Sequence, residues 1–260
     1  MTAGFDCGTL SVDLHGAVAV VTGSARGLGA VIGETFARSG AHVVFSGRSE
    51  ASPDRLARQM VGAASSSYFR GDISHELNAR QLIQTALRDF GGIDILINNA
   101  GTRRAGDLMS ATTEDIDTTF ADNVRTVSLC TRAAATAMIE QGRGGSVVNV
   151  ASIRADRPGA ASPHYAAAKA AVVALTRSNA EALGPFGIRV NAVSPGLIDR
   201  AGLQEDWPDG IERYRAIAPL GQIGNATDVA MACLFLCSTA ARWITGTNLV
   251  VDGGFSVARP

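Results

Sequence analysis

The chain has 260 residues, 46% apolar and 18% charged, with a formal net charge of −1 at neutral pH. That is the composition of a well-cored globular protein, and its near-neutral balance provides no basic field for nucleic acid, so no nucleic-acid partner is expected. No apolar run reaches the ~18 residues a membrane-spanning helix needs, so no membrane partner is expected either.

Residues 1–13 carry Asp6 and Asp13 and lack the apolar core of a signal peptide; they are expected to form a short extension to a cytoplasmic protein. Cys7, Cys130, Cys233 and Cys237 follow no disulfide framework and are expected to be reduced thiols, the last pair on the buried face of a helix. His15, His42 and His75 lack metal-ligand spacing and read as structural, so no metal is expected.

From Ala17 onward, β-branched runs alternate with helical segments. "AVAVVT" (17–22) reads as a buried strand, and a helix follows from Gly27 to Ser39, stopped by Gly40. "HVVFS" (42–46) and "SYFRG" (67–71) are the second and third strands, and a helix runs from about His75 to Phe90. "IDILIN" (93–98), "SVVNVA" (146–151), "IRVNAVS" (188–194) and "NLVVD" (248–252) complete seven candidate strands, with one long helix from about Thr113 to Glu140. Unalternating apolar strands separated by helices imply an α/β fold, a single doubly wound Rossmann-like domain over 14–260 with a parallel sheet covered on both faces. In such sheets ligands bind beyond the carboxyl ends of the strands, which directs attention to the segments that follow each strand.

The first of these is "TGSARGLGA", with glycines at 23, 27 and 29 spaced G-x-x-x-G-x-G. Strand, glycine-rich turn and helix N-terminus together suit a pyrophosphate, and the lack of Gly-Lys-Ser/Thr excludes a P-loop. The second strand ends "FSGRS", with Arg48 and no carboxylate where an acidic residue would accept from the ribose 2′-OH of NAD. Arg48, with Arg26 in the glycine loop, favours NADP, because a guanidinium–phosphate contact is charge-assisted. The alternative is a solvated Arg48 paired with Glu50 or Asp54.

"SPHYAAAKA" (162–170) places Tyr165 and Lys169 four residues apart in an alanine-rich, helix-forming run. Ser162 suits the N-cap and Pro163 the first turn, which puts Tyr165 near the positive end of the helix dipole with an ammonium on the same face. Both influences are expected to push the tyrosine pKa down, as a general acid/base requires. Ser152, thirteen residues before Tyr165, can hold a substrate oxygen near the phenol, and no G-x-S-x-G elbow makes it a hydrolase nucleophile.

"TGSARGLG" (22–29), "NNAG" (98–101), "YAAAK" (165–169) and "SPG" (194–196) occur in the order and spacing of the short-chain dehydrogenase/reductase family, which the chain resembles from about Leu14 to Phe255. The resemblance implies a ketone–alcohol oxidoreductase in which Tyr165 is the acid/base, Ser152 orients the substrate, Lys169 lowers the tyrosine pKa and contacts the nicotinamide ribose, and Asn123 supports a proton relay. It implies cofactor contacts at Gly23, Ser24, Arg26, Gly27, Leu28, Gly29, Asp72, Ile73, Asn98, Ala100, Gly101, Pro195, Gly196 and Ile198. A dimer or tetramer built on the helices from Thr113 and Pro163 is a further implication.

The chain departs from the family after "SPG", where Asp199 and Arg200 stand in the region of the usual threonine. The segment at about 199–218, with Trp207 and Tyr214, resembles a substrate lid, and its shortness favours a small or extended substrate. Arg154, Asp156, Arg157 and His164 lie near the reaction centre in sequence; some of them, Arg154 and His164 first, are expected to line the substrate cleft and favour a polar or anionic substrate, such as a sugar derivative or a 3-oxoacyl thioester, or else these are solvated loop charges. The alternatives to an NADP-dependent 3-oxoacyl or polar-ketone reductase are an NAD-dependent sugar or polyol dehydrogenase and a dinucleotide-binding sensor without turnover.

Overall fold

The computed structural model describes residues 12–49 and 65–258. Most of the expected extension (1–11, with Cys7) and the Glu50 and Asp54 positions lie outside the described residues.

Seven strands form one parallel sheet: β1 (Val18–Val21), β2 (His42–Gly47), β3 (Ser66–Arg70), β4 (Ile95–Asn98), β5 (Gly145–Val150), β6 (Ile188–Pro195) and β7 (Asn248–Val251). Their order across the sheet is β3-β2-β1-β4-β5-β6-β7, so the order in which strands are added switches sides between β1 and β4. There Ala19 to Val21 pair with Ile95 to Ile97. The helices that lead away from β1 and β4 turn to opposite faces, which opens a crevice above the strand ends.

All four residues of β1 are buried because both faces are covered, and this explains why the strand reads as an unbroken apolar run. Ala19 and Val21 join a core with Ile32 and Phe36 of α1 (Gly27–Arg38) and with Val229 and Cys233 of the helix Ala226–Cys237. Val18 and Val20 join the opposite core, against Leu82 of α2 (Glu76–Phe90) and Cys130 and Met138 from the helix Thr126–Gln141. Cys130, Cys233 and Cys237 are free thiols, and burial pushes Cys130 and Cys237 up to about 12, which keeps them protonated and unreactive. Among the described residues, no helix is long and apolar enough to cross a membrane.

The expected helix from Thr113 to Glu140 is not continuous. It divides into α3 (Thr113–Phe120), a π-turn (Ala121–Arg125) and α4 (Thr126–Gln141). The Thr126 N–H reaches back to the Ala121 carbonyl, and the extra residue re-aims the side chains of the turn. Apolar periodicity does not register one inserted residue, so the sequence reads as a single helix. The next long helix, α5 (Pro163–Leu183), packs Val172 and Val173 against Ala192 of the sheet.

Candidate active site

Three chambers lie in the crevice above the strand ends. The first sits beyond β2 and β3, walled by Gly23, Arg48, Asp72, Ile73, Ala100 and Asp122. It shares Asn99, Gly101 and Thr102 with a second chamber of about 430 Å³, whose walls include Leu28, Ser152, Tyr165, Lys169, Gly196 and Ile198. The third opens past Ser152 and Tyr165 toward Trp207, Tyr214 and Phe255. The first two chambers form one path, and the last two meet at Ser152 and Tyr165.

The glycine loop is shaped by close approach. Gly23 has φ +63°, and a Cβ there would stand 2.8 Å from the Ala100 Cα, so the turn must be bare to sit against the loop after β4. Gly27 has φ +61° and open space around its α-carbon, at the amino end of α1 where N–H groups are unpaired. Gly29 packs onto the Gly23 carbonyl and the Asn99 amide. The Ser24 hydroxyl donates to the Val21 carbonyl (2.6 Å) and accepts from the Ser46 N–H (2.8 Å), so its side chain fixes the loop and is not turned to the crevice. Arg26 is exposed at the N-cap of α1 and lines none of the three chambers.

Of the two adjacent asparagines at the end of β4, the structure turns the second to the crevice. Asn98 is buried and donates to Thr131 Oγ1 (3.0 Å) and Asn149 Oδ1 (2.8 Å) inside the sheet. Asn99 instead lines both chambers and donates to the Thr22 and Gly23 carbonyls at 2.9 and 3.0 Å. Strand alternation accounts for the exchange: once Asn98 ends the strand facing one core, its successor faces elsewhere.

Where β2 meets the first chamber, a Cβ on Gly47 would stand 2.6 Å from the Tyr68 hydroxyl and 2.9 Å from the Ala25 Cβ, so a side chain there would crowd both. Arg48 stands beside it, with Nη1 3.7 Å from Asp122 Oδ1 across the chamber. Burial acts upward on the Asp72 carboxyl, but the Ser74 N–H and hydroxyl, with Arg48 and His75, hold it below its ordinary value.

The residues expected at the reaction centre come from the segment after β5, the π-turn and α5. Ser152 follows β5 and its Oγ accepts from the Arg154 N–H at 3.2 Å. Tyr165 stands in the first turn of α5, and Lys169 one turn later, with its Nζ 5.7 Å from the tyrosine ring centroid. Lys169 is buried and donates to the Val150 carbonyl at 2.8 Å. Desolvation lowers its pKa to about 8. Asn123 sits in the π-turn, donating to the Thr102 and Thr119 carbonyls at 2.8 and 2.9 Å, while its Oδ1 is buried without a partner.

Two local expectations are corrected. Ser162 occupies the N-cap of α5 but makes no side-chain cap bond; its hydroxyl donates to backbone carbonyls, including that of Arg104 at 3.2 Å. The Tyr165 phenol is raised, not lowered, because desolvation is the largest influence; the Ser152 hydroxyl, Arg103 and Arg154 act downward but do not offset it. The neighbours that favour phenolate here are therefore the serine and two arginines.

Arg154 lines the third chamber, and His164 does not. His164 is buried, with Nε2 3.2 Å from the Arg104 carbonyl. At i−1 from Tyr165 it points to another side of the helix, which proximity in sequence conceals. Arg157 donates to the Phe255 and Ala258 carbonyls (both 3.1 Å) and anchors the C-terminal segment, and Asp156 faces the Asn248 amide. The lid region folds as α6 (Leu203–Asp206) and α7 (Pro208–Ile217), with Tyr214 stacked on Phe255 at 4.4 Å. Arg103, Asp122 and Phe255 line the chambers without having been singled out by the sequence; the only signal was their position just after a strand or beside Asn123.

Residues 23–256 match the family model described as enoyl-(acyl carrier protein) reductase. The chain is 38% identical to the L-rhamnose 1-dehydrogenase (NAD(P)(+)) of Azotobacter vinelandii, over 92% of this chain and 96% of that protein. It is 34% identical to the L-rhamnose-1-dehydrogenase of Scheffersomyces stipitis, over 94% and 97%. A crystal structure of a short-chain type dehydrogenase/reductase from Mycobacterium marinum superposes with a TM-score of 0.85 at 31% identity, covering 94% of this chain and 96% of that one. The seven-stranded order, the crevice at its switch point and these likenesses agree: the chain belongs to the short-chain dehydrogenase/reductase family of NAD(P)-dependent oxidoreductases, which act on CH–OH and C=O groups.

Proposed function

We propose that this chain interconverts a secondary alcohol and a ketone of a small polar substrate, with Tyr165 as acid/base and NADP(H) as the preferred cofactor. The observation that carries the reading is the meeting of Ser152, Tyr165 and Lys169 in one chamber continuous with the glycine-loop crevice. A pure nucleotide sensor has no use for a desolvated phenol, a serine hydroxyl and a buried amine at that point.

The residues present fit a dinucleotide. The bare turn at Gly23 and Gly27 and the amino end of α1 suit a pyrophosphate, Asp72 and Ile73 flank the adenine side, and Ala100 and Gly101 carry the path onward. Leu28, Pro195, Gly196 and Ile198 wall the chamber in which Tyr165 and Lys169 stand. When bound there, the nicotinamide supplies or accepts the hydride. Arg48, beside a Gly47 where any side chain would crowd Tyr68 and Ala25, supports the phosphorylated ribose.

In the reducing direction Tyr165 gives its phenol proton to the substrate oxygen while Ser152 donates a hydrogen bond to that same oxygen. In oxidation Tyr165 takes the proton back. Lys169, held by the Val150 carbonyl, keeps an amine beside the phenol, and Asn123 offers an unpaired carbonyl oxygen on the route from the lysine. These are the proton-handling groups an alcohol–carbonyl exchange needs near neutral pH.

Of the two substrate classes expected, the sugar or polyol class has the stronger support, because two relatives across nearly the whole chain are dehydrogenases of a sugar. The third chamber, about 190 Å³, suits a small molecule. A homo-oligomer is also proposed, formed through α3–α4 and α5; Ile116 and Phe120 of α3 are exposed apolar side chains on that surface. Turnover of aldoses, alditols and simple ketones with NADP and NAD tests the reading; cofactor binding without turnover of any would refute it in favour of the sensor.

A further inference from the structure

Arg103 and Arg154 share two cavities with Tyr165. One is the chamber of about 190 Å³ that continues to Trp207, Tyr214 and Phe255. The other, about 30 Å³, reaches toward Gly159, Ala161 and Ser162. Among the described residues, no aspartate or glutamate lines either cavity, nor the adjoining chamber that holds Lys169.

The neighbouring arginines are matched. Arg104 pairs with Asp115 at 3.3 Å, Arg200 with Asp206 at 2.8 Å, and Arg48 faces Asp122 at 3.7 Å. Arg103 and Arg154 have no carboxylate partner among the described residues. Arg103 Nε donates only to the Ser162 hydroxyl, at 3.2 Å, and Arg154 uses only its backbone N–H, on Ser152. A Cβ on Gly159 would stand 2.6 Å from Arg154 Nη1 and 3.3 Å from its Cζ, so the glycine makes room for the guanidinium at the chamber wall.

Two positive forks on one small cavity, Arg103 exposed and Arg154 half-buried, repel one another until an anion arrives, and a guanidinium binds a carboxylate through two parallel hydrogen bonds. We propose that the substrate carries a carboxylate, held by Arg103 and Arg154 so that its reacting hydroxyl or carbonyl carbon lies at Ser152 and Tyr165. The substrate class is then a short hydroxy acid, such as an aldonate, and not the neutral sugar alone. This deepens the oxidoreductase reading and rests on it. Both arginines also favour the ionised phenol, and a role confined to that would affect acidic and neutral substrates alike.

The test compares five- and six-carbon aldonates with the matching alditols and aldoses. Binding is measured by titration calorimetry on the NADP-loaded protein, and turnover by absorbance at the reduced-nicotinamide band. The account expects at least one aldonate to exceed its neutral partners by tenfold or more in affinity and in kcat/KM. In Arg103→Gln and Arg154→Gln that ratio falls at least fivefold through KM, while NADPH affinity, measured as a check on folding, stays within threefold; Arg154→Lys restores part of the ratio. Neutral partners bound and turned over as well as every aldonate, or a ratio unmoved by both variants, would overturn the proposal. An aldonate preference in binding with no hydride transfer would leave the anion site standing and defeat the oxidoreductase reading instead.

Discussion

Asn123 Oδ1 and Lys169 Nζ converge on the α-carbon of Gly101: a Cβ placed there would stand 2.5 Å from the amide oxygen and 3.4 Å from the amine. Gly101 is not in a left-handed conformation, so alanine is excluded by what it would touch and not by its backbone. Gly101→Ala should therefore fold normally but push the asparagine or the lysine off its place. A displacement of that size is expected to cost about 10²-fold in kcat. Asn123→Ala should cost about tenfold, change the pH profile of kcat and leave NADPH affinity within threefold. Steady-state kinetics over pH with a binding titration checks both; full activity in Gly101→Ala would detach the pair from the proton path.

The buried Lys169 makes stability depend on pH in a definite direction. Its pKa falls from an ordinary 10.5 to about 8 on folding, by desolvation. Between those values the unfolded chain binds a proton the folded chain does not, so unfolding free energy rises with pH from about 8 to 10.5. Below pH 8 both states hold the proton and the penalty of the buried charge is constant and complete. Lys169→Met should remove that penalty while leaving the Val150 carbonyl unpaired, for a net gain of about 1–2 kcal/mol at pH 7. Its advantage over the wild type should shrink as pH is raised to 9.5, while turnover is lost. Urea titrations at pH 6.5, 8 and 9.5 measure this; an advantage that grew with pH would contradict it.

Arg48 and Asp122 face each other across the first chamber at 3.7 Å, and on the proposed reading their pairing competes with a cofactor phosphate. Arg48→Gln should weaken NADPH by about 10–50-fold, the worth of a charge-assisted phosphate contact, and leave NADH within twofold. Asp122→Asn keeps its place beside Thr102, whose hydroxyl donates to it at 2.8 Å, but no longer competes for the guanidinium. It should tighten NADPH a few-fold. Fluorescence titrations with both cofactors decide; equal losses for NADPH and NADH in Arg48→Gln would remove the basis for preferring NADP.

The architecture was legible because most strands are apolar runs bounded by turns, with β3 (SSYFR) the weakest, and because the glycine loop, Asn98–Gly101, Ser152 and Ser194–Gly196 fall at strand ends while Tyr165 and Lys169 fall in the first turns of the helix that follows β5. Three things were not. The π-turn that aims Asn123 inserts one residue into an otherwise regular helical pattern and leaves no mark in periodicity. The choice of Asn99 over Asn98 depends on which face the last residue of β4 occupies, and that is settled by partners at Thr131 and Asn149 far along the chain. The Tyr165 phenol is raised by desolvation, a property of the packed fold, and the downward influences on it come from Ser152, Arg103 and Arg154, not from the dipole and the lysine to which the sequence draws attention.

The central claim is that Tyr165 carries the proton in a hydride-transfer site. Tyr165→Phe keeps the ring, its packing and its neighbours and removes only the hydroxyl. Single-turnover absorbance with a substrate the wild type accepts, paired with an NADPH binding titration, measures the two functions apart. The account predicts a loss of at least about 10³-fold in hydride transfer, at the scale of general acid/base catalysis, with NADPH affinity within threefold. Hydride transfer within tenfold of the wild type would contradict it.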